Sequence, residues 1–281
     1  MKKIGFVDYY LSEWHANNYP KFIEQICART GDEYCVAYAW AEKDVSPVDG
    51  RNTDEWCKVY GAEKCATIDE LCEKSDYIFI LAPDDPQKHL EYAEAVFKYG
   101  KTTYVDKTFA PDYATAKKIY DIAEKYGTKF FTTSSLRCAD ELNGLNGDNG
   151  VVALGGGTDI VDYSIHLLEM IVKLITDKPT CLRSRLQGGQ IVCNIKFEND
   201  KKATLVFIPG ATPFVISAQD EDGNYAYRQI SSNFFLNLTD EILKFFNTGV
   251  LPFDASQTLN AMKIRDAIAK SLETPDTCIE I

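Results

Sequence analysis

Histidine is scarce in this chain, with only three, at positions 15, 89 and 166. No cluster of His, Cys and Asp falls at metal-ligand spacing, so no metal site is expected. The nine cysteines, at 27, 35, 57, 65, 72, 138, 181, 193 and 278, include no Cys-x-x-Cys pair and are odd in number. That excludes a disulfide scaffold and reads as reduced, mostly buried thiols. Positive charge is also in deficit, with 30 Lys and Arg against 42 Asp and Glu and a net charge of −12. A surface of this sign repels phosphate backbones and anionic lipid, so neither nucleic acid nor membrane is expected as a partner; a neutral or cationic small molecule fits better. Long apolar runs are missing too. No stretch approaches a membrane-spanning length, and the run that follows Met1-Lys2-Lys3 is broken at Asp8, too early for a signal peptide. The expectation is a cytoplasmic protein with a small-molecule substrate.

What is present is ordinary globular material. At 281 residues, 45% apolar and 26% charged, the chain has enough length for two packed domains. The first half alternates short apolar runs, at 3–7, 34–40, 77–81, 102–105 and 129–132, with helical spacing at 14–30, 68–73, 87–99 and 113–126. Five strands with helices between them predict a doubly wound parallel sheet over residues 1–133. Gly100 and Gly127 stand where helices end, and Asp112 is placed to cap the helix that follows it. The stretch 134–157, rich in Ser, Asn, Asp and Gly, reads as the domain junction. Residues 134–281 then predict an α+β domain: a helix at 159–175, strands at 181–186, 190–197, 202–208, 214–218 and 225–230, and closing helices at 237–247 and 255–272. Asn199-Asp200 and Asp222-Gly223-Asn224 are hairpin chemistry, so that second sheet is expected to be antiparallel.

Ligands of a doubly wound sheet bind where the loops at the strands' carboxyl ends converge. Those loops are Asp8 to Glu13, Trp40 to Asp44, Ala82 to Asp85, and Asp106-Lys107-Thr108. Three blocks around them resemble the glucose-fructose oxidoreductase and inositol dehydrogenase (Gfo/Idh/MocA) family. One runs from Ile78-Phe79-Ile80-Leu81-Ala82-Pro83 through His89, Ala93 and Gly100-Lys101 to Val105-Asp106-Lys107. Another is Gly155-Gly156-Gly157 with Asp162-Tyr163-Ser164-Ile165-His166. The last is Glu241 to Phe246, then Gly249, Pro252, Leu259, Ile264, Asp266-Ala267 and Ser271. The resemblance implies a Rossmann-type first domain binding NAD or NADP, a second domain for substrate and homo-oligomer formation, and a dehydrogenase acting on a sugar, cyclitol or related polyol. It also implies that Lys107, Asp162 and His166 form the reaction centre.

The chemistry of each is sound on its own terms. A Lys at a strand's end can hydrogen-bond a hydroxyl and favour the developing alkoxide, and a His can accept the hydroxyl proton. Asp162 lies one helical turn before His166, able to orient or charge-stabilise the imidazole. Each also has a plainer reading, as a solvated surface lysine and an ordinary helix-surface pair. His15 and His89 read as helix-start residues.

The chain departs from the family's pattern at the phosphate loop. The family's three glycines fall on Asp8, Tyr10 and Glu13, where carboxylates and a phenol would stand against two phosphates. Asp8, Tyr9, Tyr10 and Leu11 are thus cofactor contacts only in a more open geometry. The ribose-binding acid falls near Trp40, with Glu42 close enough to take its place; Ala82, Pro83 and Asp106 complete the expected cofactor set. The family's Glu-Lys-Pro reads Asp106-Lys107-Thr108, and the link from triple glycine to Asp162 is one residue longer. A second function therefore stands beside the first: a family member without dinucleotide binding, serving as a sugar-binding or interaction protein or catalysing a redox-free step.

Overall fold

A computed structural model describes every residue from Met1 to Ile281. The contacts define two units, Met1–Thr133 with Leu238–Pro252 and Ser134–Asn237 with Phe253–Ile281. In the first, β1 (Lys2–Asp8), α1 (Trp14–Thr30), β2 (Tyr34–Ala41), α2 (Thr53–Tyr60), β3 (Glu63–Lys64), α3 (Ile68–Lys74), β4 (Tyr77–Ile80), α4 (Lys88–Phe97), β5 (Thr103–Val105), α5 (Tyr113–Tyr126) and β6 (Phe130–Phe131) follow one another. All six strands are parallel, in the order β3-β2-β1-β4-β5-β6. That is the doubly wound order, which reverses at β1 and so opens its ligand crevice beside β1 and β4. Ile4, Phe6 and Val7 of β1 and Ile78, Phe79 and Ile80 of β4 are buried, as strands covered on both faces must be.

Two elements add to the expected set. The edge strand β3 has two charged, exposed residues and no apolar pattern to announce it. Helix α2 carries a full capping box, Asn52 with Glu55, which satisfies amides at both ends of the exchange. Asp112 accepts the Thr115 amide at 2.7 Å, and Gly127 closes α5 at φ 65°, both as their residue types predict.

The second unit contains β7 (Gly150–Gly155), α6 (Ile160–Leu174), β8 (Pro179–Gln187), β9 (Gln190–Phe197), β10 (Lys202–Phe207), β11 (Val215–Gln219), β12 (Tyr225–Gln229), the start of α7 (Phe234–Thr248), α8 (Ala255–Glu273) and β13 (Ile279–Glu280). Its sheet runs β12-β11-β7-β10-β9-β8-β13. The expectation of a wholly antiparallel sheet needs correcting, because β7 pairs with β10 in parallel and the sheet is mixed. The strand β7 lies inside the stretch read as a junction, where flanking Gly, Asn and Asp mask its short apolar run.

Most of α7 differs from expectation as well. From Leu238 onward it packs with the first unit, where Phe246 stacks on Tyr77 at 4.5 Å and Phe245 meets Phe131 edge-on at 5.2 Å. Those aromatic faces explain why a segment so far along the chain returns to the parallel sheet.

Cys181 and Cys278 form a disulfide with Cα atoms 6.1 Å apart, where reduced thiols were expected. Pairing of β13 with β8 sets Glu280 opposite Cys181 and so brings the two sulfurs together across a separation of 97 residues, a proximity that spacing does not reveal. The other seven cysteines are free. No helix is long and apolar enough to cross a membrane.

Candidate functional site

In the first unit the candidate residues gather at the carboxyl ends of β1, β4 and β5. Asp8 closes β1 with its side chain buried; Oδ1 accepts the amides of Tyr9 at 2.7 Å and Ala82 at 2.9 Å. It thereby ties the loop after β1 to the loop after β4, where Ala82 adopts a left-handed φ of 62°. Its other oxygen, Oδ2, is buried without a hydrogen-bond partner. Burial, followed by the charge of Glu13, pushes the Asp8 carboxyl well above the usual carboxylate range.

Glu13 is the N-cap of α1. Its buried carboxylate accepts the backbone N–H groups of His15, at 2.7 Å, and Ala16. Burial pushes its carboxyl up to about 7, against the pull of His15 and of the two amides. Asp106, 1% exposed, follows β5 and receives His15 Nδ1, the Tyr104 hydroxyl at 3.2 Å and the Lys107 amide at 2.9 Å. Burial acts to raise the Asp106 carboxyl, but the charge and hydrogen bond of His15, with Lys107, hold it below the ordinary value. No three His, Cys, Asp or Glu side chains converge to hold a metal ion.

The remaining expected contacts are distributed around this cluster. Tyr9 lies under the Lys43 ammonium at 4.5 Å, its ring 5.9 Å from that of Tyr10. Leu11 and Pro83 are buried, which leaves their side chains little to offer a ligand. Glu42 is engaged by Lys88 Nζ at 2.7 Å and the Tyr92 hydroxyl at 2.8 Å.

A diphosphate bound by a doubly wound fold rests on the free amides at the N-terminus of the first helix. Here Glu13 already takes two of those amides, and the loop before it has no glycine. As folded, this end of α1 does not fit the diphosphate of a dinucleotide.

Lys107 follows Asp106 with its side chain half-buried. Its segment is fixed from beneath by His89, whose Nδ1 lies 2.9 Å from the Phe109 carbonyl and whose Nε2 meets the Leu81 carbonyl. One buried ring therefore spans the loops that follow β4 and β5.

The second unit holds the other two candidates. Asp159 caps α6 by accepting the amides of Val161 at 2.7 Å and Asp162 at 3.2 Å. The Asp162 side chain is exposed and lies 3.5 Å from Arg265 Nη2, while Arg265 Nε donates to the Val161 carbonyl. One turn on, His166 Nδ1 is 2.6 Å from Ser134 Oγ, and its ring is flanked by Tyr163 and Phe214. The hydrogen bond that orients the imidazole is thus with Ser134, and the ionic neighbour of Asp162 is Arg265.

The triple glycine before α6 has a packing cause. A Cβ on Gly156 would lie 2.1 Å from the Ile208 carbonyl oxygen and 2.7 Å from that of Gly210. On Gly157 it would run into the Tyr163 ring at 2.2 Å. Because the obstruction at Gly156 is backbone, Gly156→Ala is expected to cost about 1–3 kcal/mol in urea unfolding. A cost near zero would mean that this crossing yields freely.

Sequence reasoning passed over Glu13 as a cap, His15, Ser134 and Arg265. Glu13 carried a legible signal, since it directly precedes an expected helix. The long-range partners carried none: His15 meets Asp106 across 91 residues and Ser134 meets His166 across 32.

Residues 43–134 match the family model described as the oxidoreductase family GFO_IDH_MocA, NAD-binding Rossmann fold. The match takes in Lys107 and begins beyond the loop of Asp8 to Glu13. No curated protein matches the chain in sequence. Its fold is shared with a dehydrogenase (MviM) from Clostridium difficile, at TM-score 0.72 and 13% identity, covering 96% of this chain and 99% of that one. GenD2 from gentamicin A biosynthesis, solved in complex with NAD, superposes at TM-score 0.75 and 12% identity over 100% of this chain and 97% of its own. Biliverdin reductase from Synechocystis, solved with biliverdin and NADP+, does so at 0.67 and 16% over 96% and 98%. Residues 43–134 are therefore similar to the Rossmann segment of the Gfo/Idh/MocA oxidoreductase family, within a chain that shares its fold with solved dehydrogenases along its whole length.

Proposed function

We propose that this protein is an oxidoreductase acting on a hydroxyl of a sugar, cyclitol or related polyol, with NAD or NADP as its redox partner and Lys107, Asp162 and His166 as its catalytic residues. The observation that carries this reading is the family match over residues 43–134, which includes the end of β5 with Asp106 and Lys107. In it, the Lys107 ammonium donates to the substrate oxygen and stabilises the charge that grows there. His166 accepts the hydroxyl proton at Nε2, with Nδ1–H directed to Ser134 Oγ. Asp162, beside Arg265, contributes charge and orientation at the start of α6. A cytoplasmic location and homo-oligomer formation belong to the same proposal.

A second reading, a family member that binds or transforms its ligand without a dinucleotide, is favoured by one specific observation: the carboxylate of Glu13 on the amides of α1. Titration with NAD+, NADH, NADP+ and NADPH, followed by nicotinamide and Trp fluorescence, separates the two. Binding of at least one form supports the first, and silence of all four at millimolar concentration sinks it. With a substrate in hand, Lys107→Met is expected to lower kcat by about a hundredfold or more, the scale of losing one charge-stabilising donor.

A further inference from the structure

The first helix of a doubly wound sheet ordinarily presents unpaired amides, and a phosphate-bearing ligand supplies the anion. In this chain the anion is built in. Glu13 directly precedes α1, a helix of 17 residues, and its carboxylate is 5% exposed while it accepts from His15 and Ala16. The neighbourhood is crowded with negative charge: Asp8 and Asp106 are each 1% exposed, and both act electrostatically on Glu13 or are acted on by it. His15 sits within the cluster and is held by Asp106. A second observation points to the same place. Asp8 Oδ2 is buried with no hydrogen-bond partner, so a polar atom at the end of β1 is left unsatisfied beside this loop.

We propose that Glu13 is a resident anion: its carboxylate occupies the seat on α1 that the diphosphate of a nucleotide takes in this fold, and such a ligand enters only as Glu13 withdraws. This deepens the oxidoreductase reading and rests on it, since it names what restrains the dinucleotide at that site. Two barriers act together. The amides are already hydrogen-bonded, so a diphosphate gains them only by breaking bonds of equal kind. The carboxylate, if it stays, stands beside the incoming phosphates as a like charge with little water to screen it. Weak dinucleotide binding follows, and the removable part of that weakness is a property of one side chain.

The test uses the full chain and two substitutions. Glu13→Ser keeps a good N-cap while removing both charge and bulk, and Glu13→Gln keeps the bulk and removes the charge. Thermal unfolding first verifies that both variants are folded. NADH, NADPH and inorganic pyrophosphate are then titrated into each protein by fluorescence or calorimetry. The expected result is that Glu13→Ser binds NADH or NADPH at least tenfold more tightly than the unaltered chain, with Glu13→Gln in between, and that pyrophosphate competes for the same site. Two outcomes overturn the proposal and differ in what else they remove. If all three proteins bind a dinucleotide equally well, Glu13 restrains nothing while the oxidoreductase reading survives. If none binds at millimolar concentration, removing Glu13 has opened no site, and the oxidoreductase reading falls as well.

Discussion

Glu169→Ala is expected to destabilise the protein by about 3–5 kcal/mol, because it strands a buried arginine. Arg137 Nη1 lies 3.1 Å from Glu169 Oε2, with the two side chains 6% and 2% exposed. The guanidinium also donates to Gln257 and covers the Phe253 ring at 3.9 Å, so it cannot turn to solvent without abandoning α8. Lys173, one turn beyond Glu169 on α6, donates to the Arg137 carbonyl and sets a second positive charge nearby. Removing the carboxylate therefore leaves the buried guanidinium without its counter-charge. The pair itself contributes little net stability, since withdrawing both charges from water offsets most of their attraction. Arg137→Met with Glu169→Leu should accordingly come within about 2 kcal/mol of the unaltered protein. Urea denaturation of the single and double variants is the measurement. A loss under about 1 kcal/mol for Glu169→Ala would show that water reaches the arginine.

The unaltered protein should also lose stability relative to Glu13→Gln as pH rises from 5 to 8, by on the order of 3 kcal/mol. Burial places the folded carboxyl of Glu13 at about 7, above the ordinary value of 4.5. The folded state then binds the proton more tightly than the unfolded one between those values. The sign follows: the contribution is fully present below the unfolded value and is lost as pH rises through the folded one. Asp8, raised by the same burial, acts in the same direction. Buried His89, held below its ordinary value chiefly by burial, acts in the opposite one, which is why the comparison is made against a variant and not across pH alone. Glu13→Gln carries the neutral shape at every pH, so its denaturation midpoint should change less over this range. Parallel curves for the two proteins would mean that Glu13 is ionised throughout.

The sheet of the first unit was legible because parallel strands buried on both faces are nearly continuous apolar runs, and Ile78 to Leu81 is such a run. The strand at 150–155 escaped because its signal lasts six residues amid turn formers. The same contrast governs the site. Lys107, Asp162 and His166 were proposed from local motif, and the missing glycine loop is equally plain in the sequence. What touches them was not, because Ser134, Arg265 and the His15–Asp106 pair are joined only by folding. Glu13 is the instructive case. A carboxylate at a glycine position reads as a defect in a phosphate loop, whereas folded it is a cap that completes the helix.

The passage of α7 into the first unit makes the parallel sheet a discontinuous domain in synthesis. Residues 1–133 emerge from the ribosome with all six strands, but the aromatic cover of Tyr77 and Phe131 comes from Phe246 and Phe245. The first domain to be translated is thus left incomplete until most of the second has been made. Its core waits in a nascent, partly uncovered state until strands β7 to β12 of the mixed sheet have been made and residue 252 has cleared the exit tunnel.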